Sequence, residues 1–386
     1  MDRRTLLQLF GGLSVLPLLP STSLASTSGK RVILLELSGA NDGLNTIVPY
    51  NDDRYHELRP SLSLKRKDVI TLDNYFGFHQ ALENLMPLWE RNEMAVIHGL
   101  GYPNPNRSHF KSIALWETGS DGISKERRSG WITHNIEHAY AVANIDAHGI
   151  SLGGGMGIFN STKGNWLSME TANQFSDRSI KLETAGSRHT NPIMKQLQEN
   201  AETLNSSIEN IATKVENNNH HIRPKGGDKF NAQIAHAINL VNAGIDAPVI
   251  KISLGGFDTH ENQAHRHKSL LKKLADGISH LRKELIATDN WQNTTVITYS
   301  EFGRRAAENK SGGTDHGTAA PHFVFGGNVN GGFHGKHPDL GNLQSNDLQF
   351  TMDYRALYSS VLSDWLQLPG NAFNQYSNNA LHRLFS

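Results

Sequence analysis

The chain has 386 residues, enough for one large domain or two. Lysine plus arginine equals aspartate plus glutamate at 37 each, so no charge excess argues for a nucleic-acid or anionic-membrane partner. The absence of cysteine excludes disulfides, thiolate nucleophiles, zinc ribbons and iron–sulfur clusters, and leaves any metal to carboxylates and some of the 20 histidines.

Residues 1–25 carry Arg3 and Arg4, then an apolar run from Leu9 to Leu19 broken by Gly11, Gly12 and Pro17, then the small residues Ser23 and Ala25. The run falls short of the about 20 apolar residues that a membrane-spanning helix needs, so the segment predicts an export signal cleaved after Ala25. The arginine pair resembles that of a twin-arginine signal, which would make the machinery that exports folded proteins a partner and the periplasm or the medium the destination. A general-secretion signal with two adjacent arginines is the other reading. No later segment has the length and apolarity of a membrane span.

Arg31–Leu37 predicts the first strand, and Met94–His98, Pro248–Leu254 and Thr295–Tyr299 predict three more, with His322–Phe325 as a fifth. Such β-branched runs suit buried strands of a largely parallel sheet. Amphipathic helical patterns cover His79–Asn92, Lys111–Thr118, Phe230–Ala243 and Asn262–Ile286, and Phe350–Leu366 also reads as helix. This alternation predicts an α/β fold, with residues 26–386 as one domain. Residues 121–228 break the pattern with the glycine-rich Gly153–Gly157, a polar helical stretch Pro192–Val215 and the loop Asn217–His221, so they predict a cap or insertion.

The residues after each strand carry the chemistry. Asn41-Asp42-Gly43 follows the first strand, Asp258-Thr259-His260 follows Pro248–Leu254, and Ser300-Glu301 with Arg304 follows Thr295–Tyr299. Open α/β sheets bind ligands outside the carboxyl ends of their strands, which would bring Asp42, Asp258, His260 and Glu301 into one crevice. Carboxylates gathered so closely repel unless a cation neutralises them, and carboxylates with imidazole suit zinc or manganese, with room for more than one ion. Taken singly, Asp42 also reads as a tight turn, Asp258 as a helix cap and Glu301 as a surface acid paired with Arg304. A glycine-rich loop adds Asp315 and His316. Ser108 stands between the strand at 94–98 and a helix, where amide groups and the helix dipole favour an anion. That placement suits a nucleophile activated by a nearby metal, or a plain helix cap. Arg107 and Arg304 are candidates for gripping a tetrahedral oxyanion, or are surface ion-pair partners.

The motifs Leu37–Asn45, Asn106-Arg107-Ser108-His109-Phe110, Phe257-Asp258-Thr259-His260 and Ser300-Glu301-Phe302-Gly303-Arg304, in this order, resemble those of the exported bacterial domain-of-unknown-function family 1501. The resemblance implies the alkaline-phosphatase- and sulfatase-like superfamily: a three-layer α/β fold, a mostly parallel central sheet flanked by helices, and one or two divalent metals. By the same resemblance Asp42 would be the first metal carboxylate and Ser108 the attacking group. Asp258 with His260 would bind one ion, Glu301 would replace an Asp-His pair, and His316 would be the late histidine ligand. The chain departs from the superfamily pattern in the short Asp258–His260 spacing, in Phe302 after Glu301, in Arg107 before Ser108, and in lacking a cysteine for formylglycine. The function this implies is an exported metal-dependent hydrolase of phosphate or sulfate esters on a small molecule or polymer, with zinc, manganese, magnesium or calcium as the ion. The alternative is a non-catalytic periplasmic binding or assembly protein on the same fold. A Ser-His-Asp esterase lacks support, since no Gly-x-Ser-x-Gly elbow is present.

Overall fold

The computed structural model describes residues 29–121, 128–140, 145–169, 192–224, 226–368 and 370–386, and the expected export signal lies outside them. The β-branched runs form strands buried on both faces. In chain order the strands are β1 (Arg31–Ser38), β2 (Ile47–Val48), β3 (Val69–Thr71), β4 (Gly77–His79), β5 (Met94–Gly101) and β6 (Gly149–Ser151). They continue with β7 (Trp166–Ser168), β8 (Val249–Gly255), β9 (Thr294–Tyr299), β10 (Ala320–Gly326), β11 (Gly332–His334) and β12 (Met352–Asp353). The main sheet has nine strands in the order β11-β5-β10-β9-β1-β8-β6-β7, with β12 beside β5, while β2, β4 and β3 make a small antiparallel sheet.

Every pairing in the main sheet is parallel except those of β10, which runs antiparallel to both β9 and β5. Two reversals restore direction, so β5 points the same way as β1, β8 and β9. The carboxyl ends of these four strands and the amino end of β10 therefore share one edge. This is the geometry that lets residues far apart in sequence meet.

Alternation along β1 fixes the two faces. Ile33, Leu35 and Leu37 join a core with Ile234 and Ile238 of the helix Lys229–Asn242 and with Leu271, Leu274 and Ile278 of the helix Gln263–Ile286. Val32 and Leu34 face Trp116 of the helix His109–Thr118 and Tyr354 and Leu357 of the helix Tyr354–Ser360. Helices cover both faces of a mostly parallel sheet, the three-layer α/β arrangement that the sequence predicts. No helix of the described residues is long and apolar enough to cross a membrane.

Two of the predicted helical segments differ from the sequence reading, and β2, β3, β4 and β11 were not among the predicted strands. His79–Asn92 divides into a 3-10 turn, Gln80–Leu85, and a short helix, Met86–Glu90, because Pro87 cannot donate within a continuous helix. Phe350–Leu366 gives the bridge strand β12 before its helix, which ends in a π turn at Val361–Trp365. The described part of residues 121–228 adds β6 and β7 to the sheet edge, and the helix Pro192–Glu216 sends Ile211 and Val215 into the main core.

One buried ion cluster ties a helix to the sheet. Lys251 of β8 is fully buried, with its Nζ 3.2 Å from Glu36 Oε2 and 3.1 Å from Glu117 Oε1, and it donates to the Gly155 carbonyl at 2.7 Å. Glu117 lies near the end of the helix that His109 begins, so the cluster anchors that helix. Lys251→Met is expected to destabilise the protein by about 3–5 kcal/mol, because it leaves two buried carboxyl groups uncompensated. Urea denaturation measures this, and a loss below about 1 kcal/mol would show that the carboxyl groups find other partners.

Candidate metal centre

The site forms where the chain leaves the shared sheet edge. Gly39 follows β1 with φ +109°, and a Cβ there would stand 2.4 Å from the Asp258 amide nitrogen, so only glycine lets the two loops touch. The amides of Gly39 and Ala40 donate to the Glu301 carboxylate at 2.9–3.1 Å. Thus the loop after β1 fixes the acid that follows β9.

Arg304 fastens the same loops from beneath. It is buried, and its guanidinium donates to the carbonyls of Ala40 (2.8 Å), Thr314 (2.9 Å), Gly39 (2.6 Å) and Phe257 (3.0 Å) and to Asp258 Oδ1 (2.6 Å). An isolated bridge between Arg304 and His316 sets the loop before β10 alongside.

Three imidazoles converge on Asp258. His260 Nε2 lies 3.0 Å from Asp258 Oδ1, His316 Nε2 3.2 Å and His109 Nε2 3.6 Å. His316 Nε2 also stands 3.1 Å from His109 Nε2 and 3.0 Å from His260 Nε2. Each opposite ring nitrogen faces an acceptor: His109 Nδ1 meets Glu301 Oε1 at 3.2 Å, His260 Nδ1 meets Asp315 Oδ1 at 3.3 Å, and His316 Nδ1 meets the Arg107 carbonyl at 2.9 Å. Placing the protons on the three Nδ1 atoms would satisfy those acceptors and leave the Nε2 lone pairs facing one another and a carboxylate.

That arrangement repels itself without a cation. His109, Asp258 and His316 offer ligand atoms that all lie within 4.8 Å of one another. Ligands of a tetrahedral ion with bonds of 2.0–2.1 Å stand about 3.3–3.4 Å apart, close to the separations here. The donor set of imidazole nitrogen and carboxylate oxygen therefore fits a divalent metal. Burial pushes the Asp258 carboxyl up, but Arg304, then His316 and His260, carry it down to about 2, so it is ionised at neutral pH. Burial holds His316 below its ordinary value, which favours the neutral ring that a metal requires.

Among the residues singled out from sequence, Asp258, His260 and His316 meet directly, with Glu301 and Asp315 behind the imidazoles. Asp42 turns elsewhere. Its Oδ2 accepts from Arg59 Nη1 at 2.6 Å and from Gln263 Nε2, and its Oδ1 is buried without a partner. Burial pushes the Asp42 carboxyl up, but Arg59 outweighs that and holds it below the usual aspartate range. The Arg107 side chain pairs with Asp347 while its carbonyl holds His316. Arg304 is enclosed by carbonyl groups, so it supports Asp258 instead of presenting a free guanidinium. Ser108 is the cap residue of the helix His109–Thr118, is half-buried, and makes no side-chain capping hydrogen bond.

His109 is the residue that the sequence reading left unassigned. The rule that selected Asp258 and Glu301, polar groups just past a strand, also selects His109 once the Gly-Pro loop after β5 is followed to its helix. Arg59 carried no comparable signal, since it caps the end of the short helix Asp53–Leu58, away from the ends of the main-sheet strands.

No curated protein matches the chain. Among solved structures it is similar to Ps i-CgsB (TM-score 0.45, 11% identity, 91% of this chain and 75% of that one). It is also similar to the lipoteichoic acid synthase LtaP from Listeria monocytogenes (TM-score 0.42, 7% identity, 93% of this chain and 77% of that one). A protein in the alkaline phosphatase superfamily from Vibrio parahaemolyticus is similar as well (TM-score 0.31, 8% identity, 80% of this chain and 63% of that one). The model of one protein family matches residues 94–373, a stretch that includes His109, Asp258, His260, Glu301, Arg304 and His316 but not Asp42. The chain belongs to that family, described as a protein of unknown function, DUF1501.

Proposed function

We propose that the protein is an exported, metal-dependent hydrolase of phosphate or sulfate esters with Ser108 as nucleophile. The observation that carries the proposal is the convergence of three Nε2 atoms on Asp258 Oδ1, each imidazole held from behind by an acceptor. His109, Asp258 and His316 would hold the ion, with His260 beside them, and the imidazole-rich set favours zinc over magnesium or calcium. When bound, the metal supplies the positive charge that polarises an ester and activates a hydroxyl.

Ser108 immediately precedes His109, so its hydroxyl is tied to the centre by the chain itself. Because that hydroxyl caps nothing, it is free to form an Oγ–phosphorus or Oγ–sulfur bond as the ester oxygen leaves as its alcohol with the proton the serine gives up, and water then breaks the Oγ bond to release phosphate or sulfate and restore the hydroxyl. Amides at the start of the ten-residue helix favour the developing anion. Glu301, Asp315 and the Arg107 carbonyl orient the imidazoles. Arg304 is a positioning residue, since it reaches Asp258 and the loop carbonyls from a buried site. The arginine pair and apolar run of residues 1–25 support export by the twin-arginine route to the periplasm or the medium.

The test is elemental analysis of purified protein followed by a chromogenic phosphate- and sulfate-ester screen of wild type and Ser108→Ala. The expected result is bound metal, turnover of one ester class, and at least about a 100-fold lower rate for Ser108→Ala with metal content unchanged. Bound metal without turnover of any ester would favour a binding protein, and turnover unaltered by Ser108→Ala would remove the nucleophile assignment.

A further inference from the structure

A cavity of about 420 Å³ opens between the loop after β5, the start of β10 and residues 344–350. Its size suits a small molecule or one unit of a larger one. Two of its walls belong to the centre's own framework: Arg107, whose carbonyl holds His316, and Thr318-Ala319, just after His316-Gly317. A group bound here would touch Arg107, the residue that precedes Ser108 and whose carbonyl meets His316.

The lining is polar yet balanced in charge. Arg107 is bonded to Asp347, so neither presents an uncompensated charge to a ligand. The amide side chains of Asn104 and Gln344 line the cavity, are exposed, and have no hydrogen-bond partner among the described residues. Phe350 adds an aromatic ring that is 38% exposed. The backbone at the rim is also unusual. Asn104 (φ +53°), Ser345 (φ +52°) and Asn346 (φ +64°) all hold the left-handed conformation without glycine, and the latter two form a tight turn closed by Gln344 and Asp347. Non-glycine residues held there cost free energy, and such strain gathers at ligand sites.

Unpartnered amides can both donate to and accept from hydroxyl groups, while an aromatic ring covers the C–H face of a saturated ring. An acyl chain or aryl group would fill the space but leave the amides unsatisfied. A cationic group would find Asp347 already neutralised by Arg107. We propose that this cavity receives a sugar unit, so that the substrate is the phosphate or sulfate ester of a saccharide. The ester part of that statement rests on the hydrolase reading above, whereas the sugar part rests on the cavity alone.

The experiment uses the whole protein and two readouts. Saturation-transfer NMR with a panel of methyl hexosides reports sugar binding without any reaction. Hydrolysis of hexose 6-phosphates and 6-sulfates, compared with 4-nitrophenyl phosphate and sulfate, reports catalysis. Wild type should show transfer to ring protons of at least one glycoside, and Phe350→Ala and Gln344→Ala should lose it. The same variants should raise KM for the sugar ester at least fivefold. Both residues are exposed, so these variants test the cavity without removing core packing. Glycoside binding that the variants abolish, with no ester hydrolysed, upholds the sugar site and overturns the hydrolase reading. Aryl-ester turnover with no transfer to any glycoside, and sugar-ester KM values indifferent to both variants, overturns the sugar site and leaves the hydrolase.

Discussion

Alanine in place of His109 or His316 is expected to lower zinc affinity by at least about 100-fold, the upper end of what losing even an outer hydrogen-bond partner costs. Each change removes one nitrogen from a group of three ligand atoms that lie within 4.8 Å of one another. Glu301→Gln, which keeps the shape but weakens the acceptor behind His109, is expected to cost about 10–100-fold. Competition of the protein with a chromophoric chelator measures all three. Asp42→Asn provides the contrast. Its carboxylate faces Arg59 and Gln263, so the substitution should leave zinc affinity nearly unchanged while lowering stability. Loss of zinc from Asp42→Asn as deep as from His109→Ala would mean that Asp42 turns toward the ion.

Breaking the pair from the other side has the second large effect. Arg59 is fully buried and donates to Asp42 Oδ2, Asn45 Oδ1 and the carbonyls of Arg305 and Ala306. Arg59→Met leaves a buried carboxylate without its counter-charge, held by Gln263 alone, and takes the donor from two carbonyls, and is expected to cost about 3–5 kcal/mol in a urea titration at neutral pH. The effect has a defined acid dependence. Asp42 has a folded value below its unfolded one, so its contribution is complete above the unfolded aspartate value near 4 and fades as pH falls through the lower folded value. The gap between wild type and variant should therefore narrow on acidification. A gap that is small at pH 7, or that widens in acid, would contradict the buried ion pair.

These two results separate what the sequence made legible from what it concealed. Five strands, β1, β5, β8, β9 and β10, could be read because β-branched runs bounded by turn residues have few other uses, and the parallel strands among them placed Asp258 and Glu301 at one edge. His316 was legible for a related reason, since a glycine-rich loop ahead of a strand lets backbone approach closely: a Cβ on Gly317 would fall 2.4 Å from the Arg304 carbonyl carbon. The side-chain directions could not be read. Asp42 occupies the expected loop, yet pairs with a residue 17 positions on, and no spacing rule connects a strand end to Arg59. Arg304 was a candidate for gripping a tetrahedral oxyanion because a guanidinium donates in a fork. Four loop carbonyls instead needed donors in a buried place, and one guanidinium supplies them.

The inner and outer roles of the acids were likewise decided in three dimensions. Glu301 and Asp315 lie behind imidazoles because the amides of Gly39 and Ala40 hold the one and Asn309 Nδ2 (3.1 Å) holds the other. The cavity beside Arg107 had no motif, since its walls come from the loop after β5 and from residues 344–350, which meet only in the folded chain.

X-ray absorption at the zinc edge, on protein loaded with one equivalent, tests the centre most directly. The account predicts nitrogen and oxygen neighbours at about 2.0–2.1 Å with the outer scattering of at least two imidazole rings, and loss of one ring's contribution in His316→Ala. A zinc environment of oxygen alone, or one unchanged by His316→Ala, would contradict it.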